Sequence, residues 1–289
     1  MSPAEPTQVT PRLLREWPLP EAGSSKYLRG RVLVIGGAVR TPGAVQLAGI
    51  AALRVGAGHL SLAVAKPAAV ALAVSTPESG VTGLACDHAG SVLSDDLPKL
   101  AKALEVTDAV VLGPGLDRSP ATAQVVATVL AMLGSETRLV VDALALHPLT
   151  GIDALTESLA ARMVLTPNDD EASELLGRPL SDDLLADIGS LAARFGTVVA
   201  CHDLVVQPDG KAWQISVGDS GLATSGSGDV LAGALGGLLA RGAEPAQAAC
   251  WAKYLHAAAG ERLASRIGRL GFLAGEIRDE LPMVLAEIG

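Results

Sequence analysis

The chain has 289 residues, 49% hydrophobic but only 2% aromatic, with 31 acidic against 22 basic side chains and a formal net charge of −9. That length supplies a substantial core, which must be built from Ala, Val and Leu packed against glycine, as in layered α/β folds. The acidic balance argues against nucleic acid or an anionic membrane surface as partner and leaves small molecules.

Residues 1–30 are Pro-rich and polar and read as an arm laid over the body, with Trp17 and Leu19 as its anchors. The segment MSPAEPTQVTPRLL lacks the basic start and apolar stretch of a secretory signal, and no apolar run is long enough to span a bilayer, so a cytoplasmic location is expected. Residues 31–289 contain no linker, composition shift or fixed-period repeat and are expected to form one domain. RVLVIGG (31–37) reads as a strand, GAVQLAGIAALRVGAG (43–58) as a helix closed by Gly56 and Gly58, and HLSLAVA (59–65) as the next strand of a βαβ unit. The alternation continues through DAVVLGPG (108–115), a helix from Ser119 to Leu133, RLVVDA (138–143), a helical stretch to Arg162, MVLTP (163–167) and a helix through Leu175. Continuously apolar strands interleaved with helices indicate an α/β fold with a mostly parallel sheet covered on both faces, whose loops at the strand C-terminal ends build the site. The stretch TVVACHDLVVQPDGKAWQISVG (197–218) breaks the pattern and reads as two or three strands around a turn at Pro208–Gly210, an antiparallel hairpin at one edge. Helices over 228–241, 245–267 and 272–288 complete the chain. Cys86, Cys201 and Cys250 are widely spaced without a CxxC pattern, so neither a disulfide framework nor a zinc site is expected.

The stretch LATSGSGDVLAG (222–233) carries the clearest chemistry. Small residues at Ser225, Gly226, Ser227 and Gly228 let the backbone approach a ligand and turn its N–H groups inward, just where a helix begins; nest and dipole together suit phosphate. Asp229 has two readings. It is a general base that takes a proton from a substrate hydroxyl while the helix end holds the transferring phosphoryl group, or it is a helix cap. GGAVRTPGA (36–44) again permits close backbone approach but is not GxGxxG, and GPGLD (113–117) is either a ligand loop or an ordinary Gly-Pro turn. In TPNDDEASELLG (166–177), Asn168 and Glu171 lie one helical turn apart and either direct oxygens toward a hydrated Mg²⁺ held against phosphates or form a capping box. Asp142 ends a buried strand facing the same crevice, where no structural role obliges an acid. The five histidines show no ligand spacing and no Ser or Cys elbow; His256 reads as a core or interface residue, whereas His202 falls on the hairpin that would border a nucleotide.

Taken together, 24–65, VVLGPGL (110–116), VVDALAL (140–146), LTPNDDEASELLG (165–177) and LATSGSGDVLAGALGGLLARG (222–242) resemble the ADP/ATP-dependent (S)-NAD(P)H-hydrate dehydratases, the YjeF C-terminal type of the ribokinase-like superfamily. The resemblance covers most of the chain. It implies a three-layer αβα ribokinase-like fold, often a homotetramer, that uses ADP or ATP with Mg²⁺ to dehydrate the hydrated nicotinamide cofactor back to NADH or NADPH. The implied chemistry is phosphoryl transfer to the C6 hydroxyl of the hydrated ring, followed by phosphate loss driven by the ring nitrogen. Asp229 would be the base and touch substrate, Gly226, Ser227 and Gly228 would form the anion hole, and Gly228 would also touch the nucleotide. Ala44 and Gly115 would line the hydrated-nicotinamide pocket, Asn168 would take a substrate-facing position, and His202 and Asp203 would stand beside the nucleotide. Mg²⁺ would be served indirectly by Asn168, Glu171 and Asp142.

The chain departs from the pattern at the site itself. TPNDDE replaces TPHxGE, Leu144 replaces the second acid of DADAL, and VACHD (199–203) replaces a segment whose lysine and glycine neighbour the nucleotide. Asn168 with Glu171 restores the NxxE of the wider superfamily. These departures keep two alternatives open: a small-molecule kinase acting on a hydroxymethyl substrate such as a thiamine precursor or pyridoxal, and a nucleotide-binding protein without turnover. With His202 the one cation expected nearby, adenine-nucleotide affinity should be weak and should tighten as pH falls.

Overall fold

The computed structural model describes residues 5–21, 23–151 and 156–289. Residues 1–4 and 22 of the expected arm and 152–155 of the helical stretch expected before Arg162 lie outside the described residues. The chain opens with β1 (Thr7–Gln8) and α1 (Pro11–Glu16), then alternates β2 (Arg31–Ile35), α2 (Pro42–Arg54), β3 (His59–Ala65), α3 (Lys66–Ser75), β4 (Ser79–Leu84), α4 (Ala101–Leu104) and β5 (Ala109–Leu112). It continues with α5 (Pro120–Met132), β6 (Arg138–Val141), α6 (Glu157–Ala160), β7 (Met163–Leu165), α7 (Asp169–Leu176), α8 (Leu184–Phe195) and β8 (Val198–Cys201). Then follow β9 (Leu204–Val206), β10 (Ala212–Gln214), α9 (Ser227–Ala240), α10 (Pro245–Arg266) and α11 (Ala274–Ile288).

Among the described residues one sheet runs in the order β1-β10-β9-β8-β7-β6-β5-β2-β3-β4. Strands β2 to β8 pair parallel, β8, β9 and β10 pair antiparallel, and the arm adds β1 parallel to β10 outside them. The hairpin expected at one edge is therefore present, with the arm laid along its outer strand. The PDG turn joins β9 to β10, and His202 and Asp203 join β8 to β9.

Strands β5 (AVVL), β7 (MVL) and β8 (VVAC) are buried at every residue because helices cover both faces of the sheet. Alternation assigns their side chains to two cores. Val32 and Val34 of β2 pack with α2, α9 and α10 residues, while Leu33 and Ile35 pack with α5, α7 and α8 residues. Helix α9 is apolar around its circumference, with every residue from Ala232 to Ala240 buried, and so lies inside the molecule. It approaches α2 closely: a Cβ on Gly233 would stand 2.0 Å from the Ala48 carbonyl oxygen.

The helical stretch expected from 143 to 162 is broken into 3₁₀ turns at Ala143–Ala145 and His147–Gly151, then α6. Ala143 has φ +52, which no helix accommodates, and Pro148 lacks the N–H a longer helix needs. No described helix is long and apolar enough to cross a membrane.

Strands β2, β3 and β4 step outward in one direction, after which the chain returns to place β5 on the other side of β2. At this reversal the helices that follow β2 and β5 pack on opposite faces of the sheet, α2 in one core and α5 in the other. Here the 36–44 and 113–117 loops are joined: Gly37 and Ala38 donate to the carbonyls of Pro114 and Gly115, both at 2.8 Å, and the Thr41 hydroxyl donates to Gly115 at 2.7 Å.

Candidate active site

Gly226 starts α9 with φ +88, the left-handed region, and no side chain caps the helix. The left-handed conformation calls for glycine, and a Cβ there would also push on the end of the Leu47 side chain, 2.6 Å away. Immediately after it, the amides of Gly228 and Asp229 belong to the unpaired first turn and donate to no described backbone carbonyl. A Cβ on Gly228 would meet nothing within 4 Å, because its outer face borders a cavity of about 220 Å³.

That cavity is lined by Asp142, Ala143, Thr166, Asn168, Glu171, Gly226, Gly228 and Asp229. It thus joins the end of β6, the β7–α7 loop and the start of α9, as the strand order requires. Asp229 is the third helical residue, not the cap. Its carboxyl is pushed up to about 6 by burial alone and has no hydrogen-bond partner among the described residues. A carboxylate left unpaired beside two unpaired amides has the arrangement of a proton acceptor next to an anion site.

Asp142 is buried, and its Oδ1 accepts a 2.6 Å hydrogen bond from the Thr166 hydroxyl. Burial pushes it up to about 8 against the lowering effect of that bond, and the negative charges of Glu171 and Asp229 add to the rise. Glu171 is also raised, chiefly by burial. Asn168 and Glu171 form a reciprocal capping box: Asn168 Oδ1 accepts from the Glu171 amide and Glu171 Oε2 accepts from the Asn168 amide, both at 2.9 Å. The capping reading of this pair is therefore present in the structure, and both residues line the cavity. Among the described residues no group of three or more His, Cys, Asp or Glu is placed to hold a metal ion. Asn168, Glu171 and Asp142 line the cavity with oxygen donors, a set that suits only a hydrated Mg²⁺ reached through its water shell.

Beside it opens a larger cavity of about 570 Å³, lined by His202 and Asp203 of the β8–β9 turn, by Ile215–Ala223 residues and by Leu231, Lys253, His256 and Ala257. The two cavities have no lining residue in common, but α9 contributes to both, through Gly228 and Asp229 to the smaller and Leu231 to the larger. Ser227, the first residue of α9, bonds through its hydroxyl to His256 Nε2 at 2.9 Å, so the glycine turn is tied to α10. Burial, with the Lys253 charge, pulls His256 down to about 4, so it is neutral and orients Ser227. His202 has φ +52, and its Nδ1 lies 3.0 Å from Asp203 Oδ1, while Asp203 Oδ2 accepts from Gln214 at 2.7 Å. Non-glycine residues in the left-handed region, Ala143 and His202, thus border both cavities.

The structure brings Asp142, Asn168, Glu171, Gly226, Gly228 and Asp229 together and sets Ser227 behind them. His202 and Asp203 line the neighbouring cavity. Ala44 and Gly115 meet at the joined loops, where a Cβ on Gly115 would stand 2.9 Å from that of Ala44; they line neither cavity. Sequence reasoning passed over Thr166 and Lys253. The signal for Lys253 was a single charged residue inside the mostly apolar stretch CWAKYLHAAAG, three positions before His256.

A family model described as NAD(P)H-hydrate dehydratase matches residues 32–283. An ADP-dependent (S)-NAD(P)H-hydrate dehydratase of Xanthomonas campestris is 42% identical over 283 residues, covering 96% of this chain and 95% of that protein. The chain spans about half the length of the bifunctional NAD(P)H-hydrate repair enzymes it also matches. A ribokinase-like superfamily protein of Enterococcus faecalis superposes with TM-score 0.84 at 26% identity, covering 98% of this chain and 96% of that one. An ADP/ATP-dependent NAD(P)H-hydrate dehydratase of Bacillus subtilis, crystallised with ATP and Mg²⁺, superposes with TM-score 0.81 at 27% identity, covering 99% of this chain and 100% of that one. With the family matched from the first strand of the body into the last helix, the chain belongs to the NAD(P)H-hydrate dehydratase family and has its ribokinase-like fold.

Proposed function

We propose that this chain catalyses the ADP- or ATP-dependent dehydration of (S)-NAD(P)H-hydrate to NAD(P)H. The observation that carries the reading is the unpaired Asp229 carboxylate, raised to about 6, beside the free amides of Gly228 and Asp229 at the start of α9. In the ionised form Asp229 accepts the proton of the C6 hydroxyl as that oxygen attacks the terminal phosphorus. The P–O bond to the nucleotide breaks, and the amides of the first turn stabilise the charge on the transferring group. The nitrogen lone pair then expels phosphate from C6, and loss of a C5 proton restores the dihydronicotinamide.

Asn168, Glu171 and Asp142 would hold a hydrated Mg²⁺, which when bound offsets phosphate charge. Ala44 and Gly115 are read as part of the hydrated-nicotinamide wall, and the larger cavity with His202 and Asp203 as the nucleotide site. The same reading carries a homo-oligomer, a tetramer by resemblance, working in the cytoplasm.

The Asn168–Glu171 pair favours a second reading, a kinase of a hydroxymethyl substrate. Incubating the protein with ADP or ATP, Mg²⁺ and chemically hydrated NADH separates them. Dehydration restores the near-ultraviolet absorbance of the dihydronicotinamide ring, whereas absence of recovery together with nucleotide-dependent phosphorylation of a pyridoxal or thiamine-precursor alcohol establishes the kinase.

A further inference from the structure

Lys253 is 9% exposed on α10, yet it lines the larger cavity, and no hydrogen bond or ion pair joins its ammonium to a described residue. The stem of Lys253 is thus packed away while its ammonium is left at the cavity, free to meet an anion there. His256, three residues on and hence on the same helix face, is bonded to Ser227 at the mouth of the phosphate nest. Lys253 also feels the charges of Asp203, which lines the cavity, and of Asp169, and bonds to neither. The strand end beneath it, Val199–Asp203, brings no lysine of its own, and the cationic candidate there, His202, is engaged with Asp203. Ile215, Val217, Leu222, Leu231 and Ala257 give the cavity an apolar lining suited to a flat base.

We propose that Lys253, delivered from α10, is the charge partner of the diphosphate of the bound adenine nucleotide. The proposal rests on the nucleotide-dependent reading above. It makes Lys253 a specificity residue that distinguishes a nucleoside diphosphate or triphosphate from the nucleoside.

Calorimetric titration of the wild-type protein and of Lys253→Met with ADP and with adenosine tests it. Met fills the same volume without charge, so thermal unfolding should occur at or above the wild-type temperature. ADP affinity should fall about 10- to 100-fold, and adenosine affinity should stay within a few-fold. Weakening of ADP binding with added KCl should be steeper in the wild type than in the variant. Equal ADP affinity in the two proteins, or parallel loss of ADP and adenosine, overturns the proposal and returns Lys253 to a packing role. Should Lys253→Met fail to fold, Lys253→Gln is measured by the same criteria. A wild-type protein that binds neither ADP nor ATP overturns the functional reading and this proposal with it.

Discussion

Asp229 owes its chemistry to its place in the first turn of α9: close enough to the helix end for its carboxylate to face an anion, and buried enough to hold a proton near neutrality. Replacing it by Asn keeps shape and adjacent amides while removing the base, so kcat should drop about 10²–10⁴-fold with ADP affinity held within a few-fold. Activity requires the ionised form. The wild-type kcat should therefore climb with pH through about 6 and fall below it. A variant keeping more than about a tenth of wild-type activity would remove Asp229 from the proton-transfer step. The two glycines before it answer to different demands. Gly226→Ala forces a methyl against Leu47 in a left-handed backbone and should cost about 1–3 kcal/mol in a denaturant melt. Gly228→Ala meets only open cavity, so stability should hold while ADP binding weakens.

Among the elements, α1 is too short to persist by itself and is held by what it covers. Thr10 caps it, Leu14 is fully buried, and the following Trp17 stacks on Trp213 with ring centroids 5.6 Å apart. The Trp251 indole N–H donates to the Trp17 carbonyl at 3.0 Å, and Gln247 donates to Pro18 at 2.8 Å, so the arm is bonded to α10. That helix also carries Lys253 and His256, so the arm is bonded to an element that lines the larger cavity. Leu14→Ala should lower stability by about 2–5 kcal/mol, seen as a shift of the urea midpoint. If the midpoint does not move, the arm is not part of the cooperative unit.

Across the whole molecule, three clustered carboxyls share one sign of pKa shift, and this sets how stability depends on pH. Asp142 goes from an ordinary 3.8 up to about 8, Asp229 up to about 6, and Glu171 is raised as well. In each case the folded protein holds a proton that the unfolded chain releases. The stabilisation is complete below about pH 4 and is lost as pH rises toward about 8, through the folded values of Asp229 and then Asp142. Asp142→Asn keeps the bond from Thr166 but cannot ionise, so its unfolding free energy should decline less steeply over that range. Denaturant titrations at several pH values read the two slopes directly; identical slopes would mean that Asp142 is ionised throughout.

The sequence by itself determined what depends on neighbours along the chain. Apolar strand runs, helix periodicity and the PDG turn specified the α/β alternation, and TSGSGD specified a nest followed by a helix that carries Asp229, because these are codes of a few residues. The capping box at Asn168 and Glu171 was equally local. Only the tertiary structure decided which of these pieces meet. The adjacency of β6 and β7 and the packing of α9 across the sheet bring Asp142, Glu171 and Asp229 to one cavity, and no local pattern records that order. The same holds for β1, a two-residue strand that exists only because β10 offers an unpaired edge. Lys253 was hidden for the related reason that a lone lysine in an apolar helix reads as a snorkelling surface residue. Its burial against the cavity follows from the packing of α10 on the sheet, which is a property of elements far apart in the chain and not of the residues beside it.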